Sequence, residues 1–296
     1  MPENREPNDD VAGSKLAPGL HLVATPIGNA GDLSGRAIEA LLSADLVLCE
    51  DTRVTGRLLA LHGHRRALSS YHEHNAARVR PKVLERLRAG ASVVLASDAG
   101  TPLVSDPGYK LVREAIAAGV EVFAVPGPSA ALAALTVSGL PTDRFLVAGF
   151  LPQAASARAR AIAEVAAVPA TLVIFEAARR LPATLAELAG ALGPRPAAVA
   201  RELTKRFEEV RRGPLDTLAA DYGRAGPPRG EVVVVVGPPS ARSGEQSPEN
   251  LADLVDAELE QALASLPPAA AAARVAAATG RPRREIYRRA LELKRR

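Results

Sequence analysis

Tryptophan is absent from the 296-residue chain, and five phenylalanines and four tyrosines leave an aromatic fraction of 3%. The core must therefore be built mainly from Ala, Leu and Val, and aromatic base-stacking platforms are not expected to dominate a nucleic-acid site. The single cysteine, Cys49, excludes a disulfide framework and a Cys-rich zinc site and accords with a reducing cytoplasm. No apolar run reaches the roughly 18 residues of a membrane span. Glu3, Glu6, Asp9 and Asp10 precede any apolar stretch, unlike the start of a signal peptide. These absences predict a soluble, cytoplasmic protein with no membrane partner.

What is present begins with enough apolar matter for a large core, since 47% of the residues are hydrophobic. At about 100–200 residues per domain, two domains or two plus an appendage are expected. The formal charge of +4 is unevenly placed. Residues 274–296 hold nine Arg or Lys against Glu285 and Glu292, a local +7, which leaves −3 for the first 273 residues. A terminal basic block of this kind is an electrostatic footprint for a polyanion, with Arg283, Arg284, Arg288 and Arg289 as candidate RNA contacts.

Residues 1–19 are polar and aperiodic and read as a disordered leader. From Leu20 onward apolar runs alternate with helical patterns: strands at Leu20–Ala24, Leu46–Cys49, Ala67–Tyr71, Ser92–Ala96 and Glu121–Val125, with helices between them. That rhythm predicts βαβ units and a parallel sheet over residues 20–140. After the Gly139-Leu140-Pro141 turn, a second α/β domain is expected over 141–237. Two of its strands, flanking Thr204-Lys205-Arg206, lie close enough for a hairpin, so its sheet should be mixed. The run Val232–Val236 should be buried on both faces. Residues 238–250 read as a linker, and 251–296 as a small helical module of helix-turn-helix outline, its first helix capped by Asn250.

In an open α/β sheet the ligand crevice lies at the C-terminal ends of the strands. Three post-strand loops there are rich in Gly, Pro and small residues: one with Thr25, Pro26 and Gly28, one with Asp98, Gly100 and Thr101, and one with Pro126, Gly127, Ser129 and Ala130. Small residues let a ligand approach the backbone and Pro stiffens the loop before binding. The first loop lacks the G-x-G-x-x-G spacing of dinucleotide sites, and there is no Walker loop. A nucleoside ligand without phosphates, such as S-adenosylmethionine, fits better, with Asp98, Glu50 or Asp51 as acceptors.

The stretch Ala24-Thr25-Pro26-Ile27-Gly28-Asn29 through Glu50-Asp51-Thr52-Arg53 resembles the tetrapyrrole methylase superfamily. His72-Glu73-His74-Asn75, Ser97 to Leu103, Asp106 to Tyr109 and Arg201-Glu202-Leu203-Thr204-Lys205 are similar to its branch that modifies ribosomal RNA. The resemblance implies a two-domain α/β fold, parallel N-terminal and mixed C-terminal sheets, with S-adenosylmethionine in the cleft and usually a homodimer. It also implies 2′-O-methylation of cytidine 1402 of 16S rRNA in the 30S subunit. By analogy, Thr101 and Val104, and Ser129 and Ala130, line the cofactor.

Methyl transfer to a ribose hydroxyl needs in-line placement and removal of a proton, with no metal. His74, His72, Glu50, Asp51, or a Lys205 whose pKa is lowered by burial, are unranked candidates for the base. His62, His64, His72 and His74 cluster, but without a Cys and in H-x-H pairs they do not form a usual metal set. Arg53, Arg57, Arg201, Lys205 and Arg206 are candidate phosphate ligands, with Arg201-Glu202 equally readable as an internal ion pair. Two other functions compete: a methylase of a tetrapyrrole-like small molecule, and a non-catalytic RNA-binding assembly factor. Deleting residues 245–296 is expected to weaken rRNA binding and leave S-adenosylmethionine binding intact; equal loss of both in paired binding titrations would assign that segment a structural role.

Overall fold

The computed structural model describes residues 15–103, 108–239, 248–279 and 282–294. The chain divides between Pro239 and Ser240 into two compact units. Residues 1–14 of the expected leader, 240–247 of the expected linker, and Val104 lie outside the described residues.

The first unit opens with five strands: β1 (Gly19–Val23), β2 (Leu46–Cys49), β3 (Ser69–Ser70), β4 (Ser92–Ala96) and β5 (Val122–Val125). They form one parallel sheet in the order β3-β2-β4-β1-β5. Helices α1 (Gly35–Ser43) and α2 (Thr52–Leu61) cover one face through Ala37, Leu41 and Leu59. Helices α3 (Glu73–Arg88) and α4 (Tyr109–Ala117) cover the other through Leu84, Leu87 and Leu111. Burial on both faces is why β1, β2 and β4 read as continuous apolar runs rather than alternating ones.

Helix α5 (Ala130–Ser138) follows β5 directly and ends at Gly139, whose φ of 76° suits a glycine cap. Although it precedes the Gly139–Pro141 turn, its buried Ala131, Ala134 and Leu135 pack on the second sheet, against Val173, Ala198, Val233 and Val235. The core thus divides before α5, at the end of β5. The second sheet contains β6 (Phe145–Phe150), β7 (Thr171–Ala177), β8 (Pro196–Arg201), β9 (Glu209–Pro214) and β10 (Glu231–Val236), in the order β6-β7-β10-β8-β9. It is mixed: β6 and β7 are parallel, whereas β10 runs antiparallel to β7 and β8, and β8 and β9 form a hairpin. The valine run alternates between two cores. Val232, Val234 and Val236 face α6 (Ala155–Ala166), α7 (Leu181–Leu192) and α8 (Leu215–Ala225), while Val233 and Val235 face α5.

The second unit is three helices, α9 (Pro248–Leu263), α10 (Pro268–Thr279) and α11 (Arg283–Leu293), around Leu259, Ala271, Val275, Ile286 and Ala290. The first begins two residues before the expected cap, Asn250. Of the four expected RNA contacts here, Arg283, Arg284 and Arg288 are exposed. Arg289 is not free for that role. Its guanidinium forks onto Asp256, with Nε 2.7 Å from Oδ1, and donates to Glu292 at 2.8 Å, so it braces α11 against α9. The hydrogen bonds to Asp256 and Glu292 push its pKa above the usual arginine value.

Leu188 is fully buried between α7 and the second sheet. Leu188→Ala is expected to lose about 2–5 kcal/mol of stability, read as a lower denaturation midpoint with an unchanged slope.

Candidate functional site

The C-terminal ends of β1, β4 and β5 converge on a pocket of about 770 Å³, within the span of roughly 300–1,000 Å³ usual for small-ligand sites. Ile27 of the first loop, Asp98, Gly100 and Thr101 of the second, and Ser129 and Ala130 at the start of α5 form one wall. The loops brace each other. Thr25 and Gly100 exchange main-chain hydrogen bonds at 2.9 and 3.0 Å, the Thr25 hydroxyl donates to the Ser97 carbonyl at 3.0 Å, and the Thr101 hydroxyl donates to the Pro128 carbonyl at 3.1 Å. Gly100 has a φ of +78°, and a Cβ there would lie 3.3 Å from Ile27. Thr25, Pro26, Pro126 and Gly127 do not line the pocket; Gly127 packs where a Cβ would meet that of Ala24 at 3.1 Å. They shape the loops from behind.

The second sheet supplies the opposite wall, from Phe150, Phe175, the segment Glu176–Arg179, Ala200, Leu203 and Gly230–Val233. Because β10 runs antiparallel to β7 and β8, its beginning lies at the same edge as their ends. The strand-end rule, applied to the second sheet as well as the first, points to Glu176–Arg179 and Leu203; the loops' Gly and Pro content does not. Among the described non-glycine residues, Leu103, Glu202 and Thr204 have positive φ, of 72°, 50° and 66°, and all three sit on loops around this pocket. Such backbone strain is costly and clusters at functional sites. The buried Thr204 hydroxyl also has no hydrogen-bond partner.

Lys205 joins the two walls. A Cβ on Gly28 would lie 2.5 Å from Lys205 Cγ and 2.9 Å from Thr204 Oγ1, so only glycine admits the lysine stem. Its ammonium bridges Glu202 at 2.9 Å and Glu231 at 2.6 Å. Burial pulls the Lys205 pKa down, but the hydrogen bonds to Glu231 and Glu202 outweigh it, and the net shift is upward. This opposes a lysine base made neutral by burial.

The other expected bases are placed elsewhere. His72 and His74, rings 5.9 Å apart, sit at the end of β3, separated from β4 by β2. Glu50 is exposed and does not line the pocket. Asp51 caps α2 and is chelated by Arg53, with Arg53 Nη2 2.6 Å from Oδ2. Hydrogen bonds from the Arg53 side chain and main chain hold the Asp51 carboxyl at about 2. Arg53 pairs with Asp51 while its side chain stays 88% exposed. Asp98 accepts the Asp51 N–H at 3.0 Å, and burial raises its pKa. Arg201 pairs with Glu209 at 3.1 Å rather than with Glu202, and donates to the Arg229 carbonyl. Arg57 and Arg206 are exposed, the latter 5.6 Å over the Phe207 ring. No group of three or more His, Cys, Asp or Glu among the described residues is placed to hold a metal ion. No described helix is long and apolar enough to cross a membrane.

Two lobes with a loop-lined pocket between them define the class of tetrapyrrole (corrin/porphyrin) methylases, whose family pattern matches residues 19–219. Diphthine synthase superimposes with a TM-score of 0.57 at 19% identity, over 74% of this chain and 89% of that one. The Thermus thermophilus uroporphyrin-III C-methyltransferase complexed with S-adenyl homocysteine superimposes with a TM-score of 0.51 at 24% identity, over 74% and 97%. Residues 249–294 match the RsmI C-terminal HTH domain. The ribosomal RNA small subunit methyltransferase I of Mesorhizobium japonicum is 51% identical over 286 residues, 96% of this chain and 95% of the relative. That of Erythrobacter litoralis is 49% identical, over 96% and 99%. The chain belongs to the ribosomal RNA small subunit methyltransferase I family.

Two outcomes are expected at this site. Gly28→Ala displaces Lys205 and should weaken cofactor binding about tenfold, or ~1.4 kcal/mol, by calorimetry. Lys205, its pKa raised above the ordinary value, stays charged until pH rises through that raised pKa, while Glu202, lowered chiefly by the Lys205 hydrogen bond, loses its charge only as pH falls through its depressed pKa. The bridge is thus intact across neutral pH, and Lys205→Arg should keep the pH profile of methyl transfer between pH 6 and 9. A lysine acting as a neutral base would lose its alkaline limb in that variant.

Proposed function

We propose that the protein transfers the methyl group of S-adenosylmethionine to the 2′-hydroxyl of cytidine 1402 of 16S rRNA, as a cytoplasmic homodimer acting on the small ribosomal subunit. The observation that carries this reading is the pocket itself, whose three braced loops present hydroxyls, main-chain groups and the Asp98 carboxylate and, among the described residues, no set of phosphate-gripping side chains. The relatives' shared name supplies the RNA substrate.

The donor set fits the cofactor. The Asp98 carboxylate suits ribose hydroxyls, the Ser129 and Thr101 hydroxyls and the Gly100 main chain suit the amino-acid end, and Ile27, Ala130 and Leu203 give the base an apolar bed. Bound there, S-adenosylmethionine supplies an electrophilic methyl on a cationic sulfur. The rigid loops fix the methyl group so that an acceptor hydroxyl at the opposite wall lies in line with it, which removes much of the entropic barrier. As the oxygen takes up the methyl its proton becomes acidic, so a carboxylate suffices to accept it. Of the carboxylates that line the pocket among the described residues, Asp98 is assigned to the cofactor ribose and Glu176 accepts from Ala177, Arg180 and Thr184, which leaves the exposed Glu231, paired with Lys205 at 2.6 Å, for the acceptor's proton.

Incubation with labelled S-adenosylmethionine and either 30S subunits or naked 16S rRNA, followed by mapping of ribose methylation, tests the reading. It predicts one 2′-O-methylated cytidine, at 1402. Label on a tetrapyrrole and none on RNA would refute it, and RNA binding without label would mark an assembly factor.

A further inference from the structure

The wall that the second sheet gives the pocket is chemically unlike the first. Phe150 and Phe175, neighbours on β6 and β7, present two rings with centroids 5.4 Å apart and planes tilted by 45°. In a chain with nine aromatic residues, two sit side by side on one cavity, and Phe150 is 59% exposed.

The aim of Phe150 comes from a β-bulge. Strands β6 and β7 pair in step from Phe145 with Thr171 to Val147 with Val173; then the register shifts, and Gly149 pairs with Ile174 and Phe150 with Phe175. Without the extra residue Phe150 would fall opposite Glu176, and its ring would point to the core beneath α6 to α8, because successive side chains alternate between faces. Gly149, with a φ of +70°, takes up the distortion. Bulges of this kind re-aim side chains next to active sites. Here the bulge moves a large apolar ring out of a core it would otherwise fill.

Arg179 completes the wall. It lies four residues beyond Phe175, in the short 3₁₀ turn Ala178–Arg180, lines the pocket and is exposed. No carboxylate pairs with it among the described residues, whereas its neighbour Arg180 is committed to Glu176 at 2.6 Å and to the Leu151 carbonyl.

We infer that Phe150, Phe175 and Arg179 form the subsite for the target nucleotide, the Phe150 ring stacking on the base and the Arg179 guanidinium taking an adjacent backbone phosphate. The inference rests on the proposed function and names the part of the pocket that holds the RNA. A free guanidinium beside an aromatic pair matches a nucleotide with its phosphate, and S-adenosylmethionine carries no phosphate. A ribose brought into a cavity must leave its stack in the RNA, and a protein ring in the pocket replaces the lost stacking partner. The low aromatic content excludes an array of platforms, but one re-aimed ring is enough for one base.

The test uses the full-length protein and the variants Phe150→Ala, Phe150→Tyr and Arg179→Ala, with two readouts: the S-adenosylmethionine dissociation constant by calorimetry, and steady-state methylation of 30S subunits. Phe150→Ala and Arg179→Ala should each lower kcat/KM for the RNA at least tenfold while the cofactor constant stays within twofold, and Phe150→Tyr should restore activity. Parallel loss of cofactor affinity would give the wall to the cofactor and overturn the inference, as would unchanged RNA kinetics. Arg179→Ala removes an exposed, unpaired side chain and keeps the test available if Phe150→Ala fails to fold. A wild-type protein that methylates no RNA would instead sink the proposed function, while the variants' cofactor constants would still report which ligand the wall serves.

Discussion

The pocket depends on helix α5 leaving one sheet and being buried against the other. Its N-cap, Ser129, sits at the end of β5, where the hydroxyl accepts the Leu132 N–H at 3.5 Å, and its body packs on the valines of the second sheet. Ala131 and Ala134 keep that face of the helix small, so its backbone lies close to β8 and β10. The interior is close-packed and does not yield continuously, so seating α5 also fixes the distance between the two walls. Ser129 and Ala130 face Ala200 and Val233 across the pocket because the same few residues serve as loop end and helix start.

Polar contacts then set the detail. The main-chain bridge between Thr25 and Gly100 ties the first loop to the second, and Lys205 ties the second lobe to Gly28. The strain at Leu103, Glu202 and Thr204 is held by this framework: the Thr204 N–H is fixed by Glu208 at 2.6 Å, and Glu202 is hydrogen-bonded to the Glu231 N–H at 3.0 Å. The carboxylates nearest the loops have different characters for physical reasons. Asp51 is held ionised by Arg53, whereas Asp98, one strand closer to β1, is half-buried and protonates more readily.

Much of the scaffold was legible in the sequence because its signals are local. Leu46–Cys49 and Ser92–Ala96 are strands bounded as the apolar runs predict, Val232–Val236 is buried on both faces, and the hairpin around Thr204–Arg206 makes the second sheet mixed. Helix α5 was not legible, since Ala-Ala-Leu-Ala-Ala-Leu-Thr-Val-Ser is apolar on nearly every side and gives no amphipathic period. Of the candidate ligand residues, Asp98, Gly100, Thr101, Ser129 and Ala130 do line one pocket, while His72, His74, Glu50 and Asp51 do not. The partners that decide the fate of a charged side chain lie far away in sequence: Glu231 for Lys205 and Asp256 for Arg289. The register shift at Gly149 is equally silent, because one extra residue in a strand changes no composition and reverses the face of everything after it.

S-adenosylmethionine is proposed to bind against the ends of β1, β4 and β5 and the start of α5. Amide hydrogen exchange with and without S-adenosylmethionine reads that placement residue by residue. Slowed exchange at Gly100–Leu103, at Ser129–Leu132 and at Leu203–Lys205, with His72–Asn75 unchanged, is the predicted result. Protection confined to the His72–Asn75 end of the sheet, with none at the start of α5, would contradict it.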